Sequence, residues 1–305
     1  MTSRSLSFFG SLTIDDLVLP DGTTRWAVPG GNAVYAALGA SLWSRDVEIV
    51  APLGSDYPVE LLQGRIDLSR CRPVPHALRN WGLYEEDGRR RFVSRNSSRN
   101  WRLFCPGPED AMSGLQTAAH VAAMPRDVAL DLARELRAQQ TSMISLDLDD
   151  HDLSSVGTFE ETIELIRSVD LFLPSWRDVL GILSAKEPIE ALRQFRELAP
   201  EPLLIAIKCG ANGVCAHARG SDRWLHVPAA DVSVIDTTGA GDAFCGGFLA
   251  RFIRDEDPIE GLIFGAVSAS FCVEQQGFSG LLSATGEVAL MREEELRRRV
   301  SSGAL

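Results

Sequence analysis

Short apolar runs alternate with longer stretches of helical periodicity from one end of the chain to the other. Leu6–Phe9, Val47–Ala51, Val121–Met124, Met143–Leu146, Leu171–Leu173 and Leu203–Ile207 read as strands buried on both faces. Between them, 127–139 and 189–198 carry apolar residues three and four apart, which predicts amphipathic helices. Further helices are predicted over 240–253, 258–273 and 287–300. The last of these sets Glu293–Glu295 ahead of Arg297–Arg299, the order that suits both i,i+4 pairing and the helix dipole. This alternation implies an α/β protein with a mainly parallel central sheet covered by helices on both faces. No repeat or low-complexity linker divides the chain, so residues 1–305 read as one domain.

One region breaks the alternation. Trp81–Val93 has the half-polar pattern of a β-hairpin, with Asp87-Gly88 as its tight turn. Arginine is dense in its second half and just beyond, with Arg89, Arg90, Arg91, Arg95, Arg99 and Arg102 within fourteen residues. A solvated edge is the plain reading of that run. The sharper one gives Arg91 or Arg95 an anionic substrate such as a sugar acid, because a guanidinium fork suits a carboxylate.

Composition narrows the function classes. The chain has 45% hydrophobic and 24% charged residues, ordinary for a globular protein. A formal net charge of −12 argues against general nucleic-acid binding, which depends on neutralising phosphates. The six cysteines show no C-x-x-C spacing, so neither a zinc site nor a redox pair is indicated. No signal peptide and no apolar run of membrane-spanning length is seen, and a cytoplasmic protein without a membrane partner is expected.

The chemistry concentrates at Asp236-Thr237-Thr238-Gly239-Ala240-Gly241-Asp242-Ala243-Phe244, which is expected to leave a strand at Val232–Ile235 and enter a helix. Backbone N–H groups at such a helix N-terminus bind anions. Asp242 brings a carboxylate to the same place, where it is suited to take a proton from an attacking hydroxyl. The string is no dinucleotide fingerprint, since Phe244 stands where the third glycine belongs, and no Gly-Lys-Ser/Thr of a Walker A loop occurs. A glycine-rich helix cap is the bland alternative, and the acids at both ends argue against it.

Those residues resemble the signature of the ribokinase-like (phosphofructokinase B) carbohydrate kinases. The resemblance implies a three-layer α/β/α fold and an ATP-dependent, Mg²⁺-requiring kinase acting on a sugar or nucleoside hydroxyl. It implies an anion hole from Gly239, Ala240 and Gly241, with Asp242 as catalytic base. It also implies a small β-lid from about residues 12–28 and 74–104, which in some relatives makes a homodimer.

On the acceptor side the resemblance marks Asp15 as the sugar-binding acid, and Gly30, Gly31, Asn32 and Tyr35 as the segment that lines the substrate. Ribokinase itself has lysine and asparagine where Asn32 and Tyr35 stand, so ribose is not specified. On the nucleotide side it marks Lys208, Gly210 and Gly213 of a Lys-x-Gly-x-x-Gly turn, with Thr237, Thr238 and Gly277. Ser175 and Asp178 replace the family's usual Asn-x-x-Glu, and Asp178 is the implied holder of Mg²⁺ through water. The region of Asp236 is where many relatives hold a monovalent cation such as K⁺. Asp147 heads an acid-rich loop that lacks the glycine and glutamate of a calcium site. Two alternatives remain open: a nucleoside kinase in which Tyr35 or Trp101 stacks on the base, and a non-catalytic sugar or nucleotide sensor.

Overall fold

The computed structural model describes residues 5–86, 90–95, 101–112, 116–148 and 158–305. The predicted turn Asp87-Gly88, along with Arg89, Arg99 and most of the acidic loop after Asp147, lies outside the described residues.

Among the described residues, fifteen strands form three sheets. In chain order they are β1 (Leu6–Phe9), β2 (Thr13–Val18), β3 (Thr24–Gly30), β4 (Val47–Val50), β5 (Pro52–Gly54), β6 (Arg72–Val74), β7 (Leu78–Tyr84) and β8 (Arg90–Ser94). They continue with β9 (Ala118–Val121), β10 (Met143–Leu146), β11 (Leu171–Phe172), β12 (Leu204–Lys208), β13 (Val214–Ala218), β14 (Arg223–Val227) and β15 (Ser301–Ala304). The main sheet has the order β15-β14-β13-β12-β11-β10-β9-β1-β4. Its strands from β4 to β12 run parallel, and β13, β14 and β15 add an antiparallel edge.

Burial on both sides of the sheet explains the continuous apolar runs. Leu6 and Phe8 of β1 join the core formed with helices Asn32–Ser41, Ala240–Asp255 and Pro258–Val273. The alternate residue Phe9 points the other way, into the core under helices Arg126–Ala138, Phe159–Arg167 and Pro188–Leu198. Phe8 and Phe9 have no exposed surface, and burying each stabilises the fold by roughly 1.5–3 kcal/mol. Glu293–Arg297, Glu294–Arg298 and Glu295–Arg299 pair as the charge pattern predicts.

Two predicted strands are corrected. The run at Val121–Met124 belongs to a strand that begins at Ala118 and ends at Val121, because β1 and β10 supply partners only over that register. Val232–Ile235 is not a strand. The N–H groups of Ile235 and Asp236 both turn to the carbonyl of Val273, and Val234 and Ile235 are 62% and 68% exposed. With no neighbouring strand in register, β-branched residues alone do not make a ladder.

The segments expected to form a lid make a separate four-stranded sheet in the order β3-β2-β7-β8, with β2 and β7 parallel and the other pairs antiparallel. It springs from the C-terminal end of β1, where open parallel sheets place their ligands.

Candidate active site

The ends of β10, β11 and β12 deliver Asp147, Ser175 and Lys208 to one edge of the main sheet, opposite the signature turn, and Asp15 lies on β2 of the small sheet that follows β1. Asp15 is nearly buried in the lid's root. It accepts hydrogen bonds from Thr13 Oγ1 at 3.0 Å and Asn80 Nδ2 at 2.8 Å. Burial pushes its pKa up to about 6, although the two donors pull the other way. Asn80 is a residue the sequence did not single out. It faces Asp15 only because β7 pairs with β2, a long-range register invisible in the chain order.

Other acceptor-side residues divide. Gly31 has φ +116°, and a Cβ there would stand 2.2 Å from the Ser11 carbonyl, so glycine is required for the close turn. Gly30 lies against Asp15. Asn32 turns inward: its Oδ1 accepts from the Ser11 N–H at 2.8 Å, and its Nδ2 donates to the Ala123 carbonyl at 2.7 Å. Both ends of its amide thus tie the segment to its neighbours.

Tyr35 is almost completely buried, with its ring directly beneath Gly239 and edge-on to Phe278. It supports the signature turn from below, which leaves its ring no open face for a nucleoside base. Trp101 packs against the second core rather than in the cleft. Arg95 binds Asp16 at 2.7 Å and lies over the Trp81 ring, while Arg91 is exposed beside Leu83 on the outer face of the lid. Neither arginine is brought to the cleft. Asp56 accepts from the Ala77 N–H and pairs with Arg79.

The signature turn is set by Gly239, which caps helix Ala240–Asp255 with φ +75°. A Cβ there would meet the Tyr35 ring at 2.2 Å. Asp236 organises the turn: its carboxylate accepts N–H bonds from Thr238 at 2.9 Å and Gly277 at 3.2 Å, joining two loops. The Ala240 N–H bends back to the Thr237 carbonyl at 3.3 Å, so of the three amides the resemblance marked, this one is already engaged. Asp242 follows in the first helical turn, half-buried. Burial and then the Asp147 charge push its pKa up to about 7, against the pull of Lys208 and Arg90.

Beneath the turn is a buried cluster. Lys208 Nζ is bonded to the Asp147 carboxylate and lies 3.3 Å from Cys245 Sγ. Burial disfavours the ammonium, but Asp147 outweighs it and holds Lys208 above its ordinary range. Lys208 therefore neither snorkels nor reaches freely into the cleft. It places a fixed positive charge under Gly241. Nearby, Ser175 caps helix Trp176–Ile182 in a reciprocal box with Asp178, taking its N–H at 3.2 Å and donating its own at 2.6 Å. The second Asp178 oxygen is buried without a partner among the described residues. Burial and the neighbouring Asp147 raise the Asp178 pKa to about 7. An orphaned carboxylate oxygen of this kind suits a hydrated Mg²⁺, which keeps most of its waters. Gly210 and Gly213 both take positive φ to reverse the chain after Lys208.

The long signature and its placement at this edge agree with what known proteins show. Residues 7–284 match the pfkB family of carbohydrate kinases. The chain belongs to that family. Cytidine kinase of Thermococcus kodakarensis is 27% identical over 260 residues, spanning 84% of this chain and 90% of its own. The 2-dehydro-3-deoxygluconokinase of Thermoproteus tenax is 31% identical over 278 residues, covering 81% and 80%. Among solved structures, a putative ribokinase II from E. coli in complex with ATP and Mg²⁺ superposes with a TM-score of 0.75 at 18% identity, over 97% of this chain and 99% of that one. The protein is thus a sugar or nucleoside kinase with the ribokinase fold. No helix among the described residues is long and apolar enough to cross a membrane.

Proposed function

We propose that this kinase transfers the γ-phosphoryl group of ATP to a hydroxyl of a sugar or sugar derivative, with Asp242 as the base. The observation that carries this is the position of Asp242. A half-buried carboxylate with a pKa near 7 stands one residue past Gly241, at a helix N-terminus built to receive an anion. Asp15, held by Thr13 and Asn80, binds the acceptor hydroxyls, with the Gly30–Gly31 backbone alongside. As the new O–P bond forms and the bond from the γ-phosphorus to the bridging oxygen of the leaving ADP breaks, the hydroxyl proton passes to Asp242, while the backbone N–H groups of the Gly239–Gly241 turn and the Lys208 charge below them stabilise the oxygens of the transferred group.

ATP lies along the Lys208–Gly213 turn, Ser175, Thr237, Thr238 and the Gly277 loop, with exposed Ile235 as an apolar neighbour for its base. Asp178 would hold Mg²⁺ through water, and the ion would neutralise the phosphate charge. A monovalent cation such as K⁺ belongs beside Asp236, whose carboxylate ties together the two loops that would offer it carbonyls. Trp26, Leu83 and Val93, exposed on the lid's outer face, meet a second copy of the chain. Six free cysteines and a need for ATP suit the cytoplasm.

The test is phosphoryl transfer from ATP to a panel of sugars, sugar acids and nucleosides, with Asp242→Asn in parallel. We expect a sugar-class acceptor and a loss in kcat on the order of 10²-fold or more in the variant. Turnover close to the unaltered enzyme's would remove Asp242 from the role. Nucleosides are the second acceptor class, since the T. kodakarensis relative is a cytidine kinase.

A further inference from the structure

The two strands of the lid hairpin end in contacts that this reaction does not yet use. Tyr84, the last residue of β7, and Arg90, the first of β8, are directly opposed across the hairpin. Their side chains reach adjacent residues of the signature turn. The Tyr84 hydroxyl bonds Thr238 Oγ1 at 2.6 Å, and Arg90 Nη1 donates to Thr237 Oγ1 at 2.6 Å. Resting on Asp242 as the base, we propose that Tyr84 and Arg90 are positioning residues that latch the lid onto the signature turn, so that closure over the acceptor brings the Arg90 guanidinium to the phosphoryl-transfer centre.

Strand geometry supports the latch. Alternate side chains of a hairpin face opposite ways, and here Gly82, Tyr84, Arg90 and Phe92 turn toward the body while Leu83, Arg91 and Val93 are exposed. Tyr84 is further braced by the Phe92 ring, edge-on at 6.4 Å between centroids. The chemistry of arginine supports it too. A guanidinium has five N–H donors, so one bond to Thr237 leaves others for phosphate oxygens.

Asp242 then has charges on several sides. Asp147 at the end of β10 disfavours its carboxylate; Lys208 at the end of β12 and Arg90 on the lid favour it. The thiols of Cys245, on its own helix, and Cys272, on helix Pro258–Val273, also feel it. Lys208 is fixed by its bond to Asp147, whereas Arg90 rides on the lid. An open lid withdraws the Arg90 charge and favours the protonated Asp242. A closed lid adds that charge to the one on Lys208 and so favours the carboxylate that takes the acceptor's proton.

The full-length protein and its Arg90→Gln, Arg90→Lys, Tyr84→Phe and Arg91→Gln variants test this in two ways. Amide hydrogen exchange of the peptide spanning 236–242 reads the latch without turnover. We expect exchange to quicken about tenfold or more in Arg90→Gln and Tyr84→Phe, and to be unchanged in Arg91→Gln on the outer face. The pH dependence of kcat reads the charge. In Arg90→Gln the acidic limb moves upward, with about a tenfold loss at pH 6.5 that narrows by pH 8.5; Arg90→Lys restores the limb. Unaltered exchange in Arg90→Gln overturns the latch. An activity loss that is equal at every pH overturns the effect on the base. Should the unaltered protein phosphorylate no acceptor, the kinase reading of Asp242 falls with the charge effect, and the exchange measurement alone decides the latch.

Discussion

Lys208 and Asp147 form an ion pair in the floor of the cleft, each about nine-tenths buried and directly below the signature turn. Two charges removed from water repay their desolvation only while both are present. Lys208→Met should therefore lower stability by about 3–5 kcal/mol in denaturant unfolding, since it strands the Asp147 carboxylate. Adding Asp147→Asn should recover much of that loss. A double variant as unstable as the single one would mean that lost packing, not lost charge pairing, is responsible.

Asp242 links function to stability. Its pKa rises from 3.8 in the unfolded chain to about 7 in the folded one, so folding favours its protonated form. That contribution is complete below pH 3.8 and is lost as pH rises through 7. Asp242→Asn removes the penalty. Its Tm should exceed that of the unaltered protein by about 2–6 °C at pH 8, with little difference at pH 4.5. The opposite pH ordering would show that burial does not hold this carboxyl protonated.

Activity should follow the same group with the reverse sense. A base must be unprotonated, so kcat/KM should fall as pH drops below about 7, and again below about 6 as Asp15 takes up its proton. A rate profile flat from pH 5 to 8 would exclude both assignments.

Asp15→Asn keeps the shape of the residue and removes its charge. We expect KM for the acceptor to rise about tenfold or more, while KM for ATP stays within about twofold. Equal changes in both constants would place Asp15 outside the acceptor site.

Gly239→Ala tests the turn itself. Its Cβ would press on the Tyr35 ring at 2.2 Å, at a φ that L-residues rarely adopt. We expect about a hundredfold loss in kcat, partly regained with Tyr35→Leu, which frees the space under the turn. No regain would put the cost in the backbone conformation alone.

The sequence by itself determined the sheet's parallel core and most of its helices, and it marked the turn where the chemistry is proposed. Those features rest on local signals: apolar runs for doubly covered strands, three-four periodicity for helices, and a nine-residue string whose glycines and acids are adjacent in the chain. Val232–Ile235 marks where local propensity stops, because a strand exists only with a partner in register, and this segment has none.

Only the tertiary structure decided which side chains meet. Asn80 reaches Asp15 through the pairing of β7 with β2, and Arg90 rather than Arg91 or Arg95 faces the signature turn because strand alternation, not arginine density, sets direction. Tyr35 lies under Gly239 with its ring edge beside Gly30, and Lys208 found Asp147 across 61 residues. Such meetings depend on long-range register and on where charge is buried, and neither is written in the spacing of residues along the chain.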